Sequence, residues 1–389
     1  MRKIIFWMML FLAYHPTVIA QGKSKSNVED IRIKIIEKAD KLKLRPVSPR
    51  YDLNYQPLST PDQGKFMYYV NFSDMTAAIY CKSQNADAFA VWGEIYKKYT
   101  ALLEGDIIKE KNGRGVQVNQ KYFLGAPISD EFKTPQKNGA GQHFEGGSIY
   151  WSPTSGAFEV HGSIKDKWAS LGWENSFLGF PVTDETSTPD GYGRFNFFQG
   201  GAIYYHPNLG TFAVPKMITE VWKKEGWEKG NLGYPISDEI IKNNNSVQYF
   251  EFGAVISCKA SPYKVIYNTF REKNGIYTKW KSTGGVDSYL GDLVTPNKNY
   301  PKNFRYHFAE FQKGFIYENP KLVINNQITA FVILKGPIFD YYAKKGWETG
   351  SLGFPISDEG KASDGTIYQN FEGGTIYYSK SLGAFEQKR

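Results

Sequence analysis

Leu178-Gly179-Phe180-Pro181-Val182-Thr183-Asp184-Glu185 recurs along the chain in near copy. The copies are Leu124-Gly125-Ala126-Pro127-Ile128-Ser129-Asp130-Glu131, Leu232-Gly233-Tyr234-Pro235-Ile236-Ser237-Asp238-Glu239 and Leu352-Gly353-Phe354-Pro355-Ile356-Ser357-Asp358-Glu359. A weaker copy, Leu290-Gly291-Asp292-Leu293, keeps the Leu-Gly and loses the proline. A period of roughly 55–60 residues marks a repeat protein, whose small units bury a core by stacking. The 389 residues are therefore not divided into two or three independent domains.

The surroundings of each copy repeat as well. Ahead of it stands an isoleucine with a large aromatic four residues on: Ile95 and Tyr99, Ile164 and Trp168, Ile218 and Trp222, Ile276 and Trp280, Ile338 and Tyr342. Residues four apart share a helical face, so each pair predicts a short helix pressed onto its unit. Three of these helices end at Gly-Trp-Glu (172–174, 226–228 and 346–348), where glycine takes the left-handed conformation that caps a helix. Behind the copy, a polar loop leads to alternating strands punctuated by glycine, as in Phe195-Asn196-Phe197-Phe198, Gly200-Gly201, Ala202-Ile203-Tyr204 and Gly210-Thr211-Phe212-Ala213-Val214. That pattern predicts antiparallel hairpins. The third strand is legible in four of the five units.

These features divide the chain into an irregular opening repeat over 31–91 and repeats over 92–161, 162–215, 216–268, 269–335 (degenerate) and 336–389. Leu44-Arg45-Pro46-Val47-Ser48 reads as a decayed copy of the motif inside the opening repeat. Residues 1–20 read as a signal peptide: Arg2 and Lys3, an apolar run from Ile4 to about Tyr14, and a small-residue cleavage site at Val18-Ile19-Ala20. Residues 21–30 are polar and read as a disordered linker. No later run is long and apolar enough to span a bilayer, so stable membrane insertion is not expected. Two cysteines, Cys81 and Cys258, are far from a disulfide framework. The net charge is +8, with about five of those charges between Lys23 and Arg50, which leaves the repeats a poor electrostatic footprint for nucleic acid.

The motif set resembles the LGFP repeat family of bacterial exported proteins, from about residue 91 to 389. The resemblance rests on the four full copies with their Ser/Thr-Asp-Glu tails, the Gly-Trp-Glu lead-in and the Phe-x-Gly-Gly-x-Ile-Tyr hairpin. It implies a secreted, periplasmic or cell-envelope location and contact with cell-wall polysaccharide. Family members usually accompany envelope enzymes such as mycolyl transferases or wall hydrolases. This chain shows no such catalytic domain, which leaves an envelope enzyme as a partner to consider. The expected fold is a β-rich α+β repeat protein of tandem small antiparallel-sheet units, each with one short helix. The resemblance favours stacking as a stalk, with a closed propeller-like ring as the alternative.

No catalytic motif, metal-ligand set or cofactor fingerprint is present. His143, His206 and His307 are scattered, and the paired acids of the motif are adjacent in sequence, whereas glycosidase carboxylates face each other about 5–9 Å apart. The chain is therefore expected not to be an enzyme. The leading expectation is a polysaccharide-binding module with repeated shallow sites. A glycan-degrading enzyme using one variant repeat and a ligand-free spacer are the alternatives. With Ile149, Ile203 and Ile376 facing the helix, Tyr150, Tyr204 and Tyr377 face the other way, and Tyr80 and Tyr317 take the same place. Those tyrosines either stack on sugar rings or cover the joint between units, and Trp173, Trp227 and Trp347 carry the same two readings. Asp184, Asp238 and Asp358 either satisfy their turns or contact ligand.

Overall fold

The computed structural model describes residues 18–46, 54–57, 66–72, 76–104, 124–134, 138–242, 245–258, 261–267, 275–295, 307–324 and 327–389. The apolar run of the expected signal peptide lies outside these residues. Among these residues six α-helices follow in order: α1 (Val18–Leu42), α2 (Gly93–Glu104), α3 (Gly162–Leu171), α4 (Lys216–Lys224), α5 (Ile276–Ser282) and α6 (Pro337–Lys344). None of the described helices is long and apolar enough to cross a membrane. Helix α1 takes in residues 21–30, which the sequence alone reads as a linker. The helix is anchored by buried Ile31, Ile35 and Ala39, and once nucleated it propagates through polar neighbours that contain no proline.

Six four-stranded sheets accompany the helices, each an antiparallel meander whose strands pair in chain order. The opening sheet is Asn54–Pro57, Phe66–Phe72, Ala77–Cys81 and Ala88–Trp92. Unit 1 has Phe132–Lys133, Ala140–His143, Gly147–Ser152 and Gly156–His161; unit 2 has Thr186–Ser187, Arg194–Phe198, Gly201–His206 and Gly210–Pro215. Unit 3 has Ile240–Lys242, Asn245–Phe250, Gly253–Cys258 and Ser261–Tyr267; unit 4 has Leu293–Thr295, His307–Phe311, Gly314–Ile324 and Gln327–Leu334. Unit 5 has Gly360–Lys361, Ile367–Phe371, Gly374–Ser379 and Gly383–Lys388. The fold is thus a β-rich α+β repeat protein. Sequence reading missed the short strand that follows each Asp-Glu pair and the last strand of unit 3. The former are only two or three residues long, too short to show a period.

By compactness the chain forms two lobes, Met1–Glu185 with Asn196–Gln199, and Thr186–Phe195 with Gly200–Arg389. In the first lobe, α2 lies between two sheets: Tyr80 and Val91 of the opening sheet and Leu124, Phe144 and Ile149 of unit 1 form one core with Ile95 and Tyr99. In the second lobe, Ile338 and Tyr342 of α6 share a core with Tyr317 and Ile333 of unit 4 and with Leu352, Phe371 and Ile376 of unit 5. A helix of two or three turns has too few residues to be stable alone, and burial on both sides holds it.

The Leu-Gly corner is an internal fastening of each unit. Leu124, Leu178, Leu232, Leu290 and Leu352 are all buried. The next residue is always a glycine at positive φ, from +65° at Gly125 to +75° at Gly291. A Cβ there would come within 2.7 Å of a Glu or Gln side chain that follows the hairpin phenylalanine: Glu145, Gln199, Glu251, Gln312 or Glu372. The same side chains accept the backbone N–H one residue beyond the glycine, at 2.9 Å for Tyr234 with Glu251 Oε2 and 3.2 Å for Asp292 with Gln312 Oε1. This explains why the degenerate fourth copy keeps Leu290-Gly291 although it loses its proline. The proline elsewhere bridges the hairpin phenylalanine: Pro127 to Phe144, Pro181 to Phe198, Pro235 to Phe250 and Pro355 to Phe371. Pro46 bridges Phe72 in the same way, so the described part of the decayed copy occupies the motif's place.

Gly233→Ala should destabilise the protein by about 2–3 kcal/mol in chemical denaturation, because left-handed backbone and steric conflict add. Gly191→Ala, also at positive φ (+79°) but with open space around its Cβ, should cost only about 1 kcal/mol. Equal losses would contradict the fastening role.

Candidate functional site

The structure places Tyr150 and Tyr204 inside the molecule, at 2% and 3% exposure, which corrects their reading as sugar platforms. Strand alternation does turn them away from their own unit's helix, but the next helix covers them. Tyr150 meets Trp168 of α3 edge-on at 4.6 Å, and Tyr204 meets Trp222 of α4 at 4.6 Å. Burial pushes both hydroxyls well above the ordinary tyrosine range, so they stay neutral. The helix aromatic reaches the following sheet as well, Trp168 to Phe198 at 5.3 Å and Trp222 to Phe250 at 5.3 Å. Tyrosine, helix aromatic and phenylalanine form the apolar half of each joint. Tyr377, in the last unit, is only half-buried and stacks on Phe385 at 5.6 Å.

The polar half of the joint takes up the motif's aspartates. Asp130, Asp184, Asp238 and Asp358 each accept, through Oδ1, a backbone N–H from the last strand of the preceding sheet: Ala90, Glu159, Ala213 and Val332, at 2.8–3.1 Å. The carbonyl of that same residue is also taken. Gln142, Asn196, Gln248 and Gln369 donate one amide proton to it and the other to the carbonyl of Ser129, Thr183, Ser237 or Ser357. One residue of an otherwise open edge strand is therefore held by both its backbone groups. Lysines one residue before the helix aromatic position, Lys98 and Lys279, pair with the second oxygens of Asp184 and Asp358, and Lys38 of α1 does so with Asp130. Asp184, Asp238 and Asp358 thus bind protein backbone across the joint, the structural one of their two readings. Sequence reading missed the amide partners; the signal available was a Gln or Asn two residues before the hairpin phenylalanine in units 1, 2, 3 and 5.

Unit 4 lacks both polar partners together. Ala309 stands where the other units have Gln or Asn, and Pro296, outside the described residues, aligns with the aspartate. Ala309 and Leu293 are instead buried in an apolar core with Ile256 and Ile266 of unit 3. Lys264 of the unit 3 edge strand donates to the carbonyls of Leu293 and Val294 at 2.8 and 2.9 Å.

Trp173, Trp227 and Trp347 remain as the repeated surface. All three are half-buried. Each follows a left-handed glycine and is itself left-handed, with φ of 56°, 58° and 58°. That conformation is uncommon for a bulky residue and costs about 1–2 kcal/mol. Unit 4 has Gly285 at this position with φ 61°, so the backbone needs no tryptophan there. The inner part of each indole packs on the helix aromatic, Trp168 to Trp173 at 5.3 Å, Trp222 to Trp227 at 5.4 Å and Tyr342 to Trp347 at 5.5 Å. Around Trp173 stand Tyr150 at 5.8 Å and His143 at 5.6 Å, whose imidazole burial keeps below its ordinary pKa. Phe339 lies 4.9 Å from Trp347. No group of three or more metal-ligating side chains occurs among the described residues. Cys81 is a buried free thiol pointing to the Ser83 carbonyl at 3.2 Å.

Removing one partner of a joint should cost more than its share. Asp238→Ala strands the Ala213 N–H and Gln248→Ala strands its carbonyl, each at about 1–3 kcal/mol in denaturant unfolding. Asp238→Ala with Gln248→Ala should cost clearly less than the sum of the two, and strict additivity would contradict shared grip on one residue. Burial also raises the carboxyl of Glu359 above its usual 4.5. The folded state then binds the proton more tightly than the unfolded state, so stability falls as pH rises from the ordinary carboxylate value through the raised one. Glu359→Gln should flatten that slope in a pH series of melting curves; an unchanged slope would contradict the assignment.

A family model described as LGFP repeat matches residues 124–176, 178–230 and 352–388. Each of the first two matched stretches starts at the Leu-Gly corner and ends past the following helix, a different phase from the boundaries drawn above. No curated protein sequence matches the chain. Among solved structures, the extracellular domain of a hybrid two-component system from B. thetaiotaomicron aligns at 9% identity over 82% of this chain and 39% of the other, with a TM-score of 0.14. A second such domain from B. thetaiotaomicron aligns at 12% identity over 84% and 39%, with a TM-score of 0.13. PorZ, a surface component of the type-IX secretion system of Porphyromonas gingivalis, aligns at 9% over 87% and 39%, with a TM-score of 0.12. The chain thus spans well under half the length of these proteins, and superpositions this poor carry no argument about its fold. Its own repeated corner, helix and hairpin are matched directly: the chain carries LGFP repeats at 124–176, 178–230 and 352–388.

Proposed function

We propose that this is an exported, non-catalytic LGFP-repeat protein that binds cell-wall or extracellular polysaccharide through repeated shallow sites centred on Trp173, Trp227 and Trp347. The observation that carries the reading is a half-buried tryptophan kept three times in left-handed backbone, at a position where unit 4 uses glycine. A strained residue persists where its side chain has work to do, and a half-buried indole suits the apolar face of a sugar ring. Each platform is small, so affinity comes from several sites engaging one polymer. The LGFP repeats support an extracellular or envelope setting, and polysaccharide is the polymer such a setting offers. Tyr150, Tyr204 and the motif aspartates are engaged in the joints, which turns attention to the tryptophans and their immediate neighbours.

The test is retention on purified cell-wall polysaccharide in a pull-down or affinity gel. Trp173→Ala, Trp227→Ala and Trp347→Ala should each weaken retention about three- to tenfold, and the triple variant should abolish it while keeping a cooperative unfolding transition. Undiminished retention of a folded triple variant would overturn the assignment. No retention of the unaltered chain on any wall fraction would favour the ligand-free spacer.

A further inference from the structure

The three tryptophan platforms differ in the charge beside them. Each tryptophan is followed by a glutamate, and unit 4 lacks both residues, with Gly285-Val286 in their place. Glu174 and Glu228 are 4% and 6% exposed, while Glu348 is half-buried. Glu174 accepts the Asn175 amide through Oε1 at 3.2 Å. In unit 3 the residue after the glutamate is Lys229, which carries no side-chain amide. Oε1 of Glu228 is enclosed with no hydrogen-bond partner among the described residues. A buried carboxylate left in this way calls for a compensating charge.

A second carboxylate stands nearby. Asp190, in the turn ahead of the Arg194–Phe198 strand, accepts through Oδ1 the hydroxyls of Tyr234 and Thr188 and the N–H of Tyr192, at 2.6, 2.7 and 3.0 Å. Burial raises the Glu228 carboxyl above its usual value; its own backbone N–H opposes the rise, Asp190 adds to it and Lys229 opposes it. Two carboxylates against one ammonium leave the site with a negative charge. The other two platforms have cations of their own. Lys165 bears on His143 beside Trp173, and Lys335 stands over Phe315 at 5.3 Å, in the ring cluster that reaches Trp347 through Phe339. The aromatic side of the Trp227 site is continuous: Trp227 packs on Trp222 at 5.4 Å, and Trp222 on Tyr204 at 4.6 Å. An ammonium is drawn to an indole face and to an acid at once. The chain makes a related contact at the joint without a tryptophan, where Lys281 Nζ stands over Tyr249 and Tyr277 at 5.0 and 5.5 Å.

We propose that the Trp227 site takes a sugar bearing a free amine, held as its ammonium by the indole and the combined charge of Glu228 and Asp190. This rests on the reading of Trp227 as a sugar platform, and it names the class of sugar that this one platform selects. The ammonium need not touch Glu228 Oε1, because a full charge acts at a distance where water is scarce. An N-acetylated sugar brings no charge to the site, and a uronate brings the wrong sign.

The probes are an oligomer of β-linked glucosamine with free amines and its fully N-acetylated counterpart, titrated calorimetrically into the full chain just below neutral pH. The free-amine oligomer should bind at least about tenfold more tightly. The chain's net charge of +8 opposes a polycation, so such a preference has to come from local acid. Glu228→Gln preserves the shape of the side chain and should shrink the preference to about threefold or less. Equal binding, tighter binding of the acetylated oligomer, binding of neither, or a preference that Glu228→Gln leaves intact would overturn the proposal. If retention on wall polysaccharide still depends on the three tryptophans in that case, the platform reading stands and the amine selectivity alone falls.

Discussion

The structure depends on how an edge strand is closed. Every four-stranded meander ends on an edge whose outward N–H and C=O groups would pair with another chain or stay with water. Here one residue of that edge is captured by an Asp oxygen and an amide proton from the next unit, while the helix beneath buries the tyrosine beside it. In these joints the polar pair fixes register and the aromatics supply burial; between units 3 and 4 an apolar core and Lys264 take the pair's place. A charge-assisted hydrogen bond and a paired amide in a water-poor joint are worth far more satisfied than half-satisfied.

That constraint explains which parts of the motif survive in the degenerate fourth copy. Leu290 and Gly291 serve their own unit, the one through burial and the other by giving room to Gln312, and both remain. The aspartate and the amide serve the joint, and both are replaced, with apolar packing and Lys264 in their stead. The position after the left-handed cap glycine separates in the same way. Backbone geometry there is met by Gly285 as well as by tryptophan, so Trp173, Trp227 and Trp347 answer to something other than the turn.

Much of the fold was legible because its signals are local. The Ile-to-aromatic spacing named the helix faces, the cap glycines are left-handed as their sequence implied, and the hairpins follow the Gly-punctuated alternation. The joint was less legible because its partners lie far apart in sequence, as with Gln248 and the carbonyl of Ala213. Alternation correctly turned Tyr150 and Tyr204 away from their own helix, yet it is blind to the neighbouring helix that covers them. The aspartates were recognisable as a recurrent feature, but sequence could not show that their acceptor oxygens point back to the preceding sheet. The short strands after Asp-Glu were too brief to carry a pattern.

Amide hydrogen exchange at the edge strands tests the central claim most directly. The account predicts that the Ala213 and Val332 amides, though on the outer side of an edge strand, exchange as slowly as hairpin-interior amides, and that Asp238→Ala speeds exchange at Ala213 while Val332 stays slow. Ala213 and Val332 exchanging as fast as exposed loop amides would show that the edges are not held, and the account of the joint would fail.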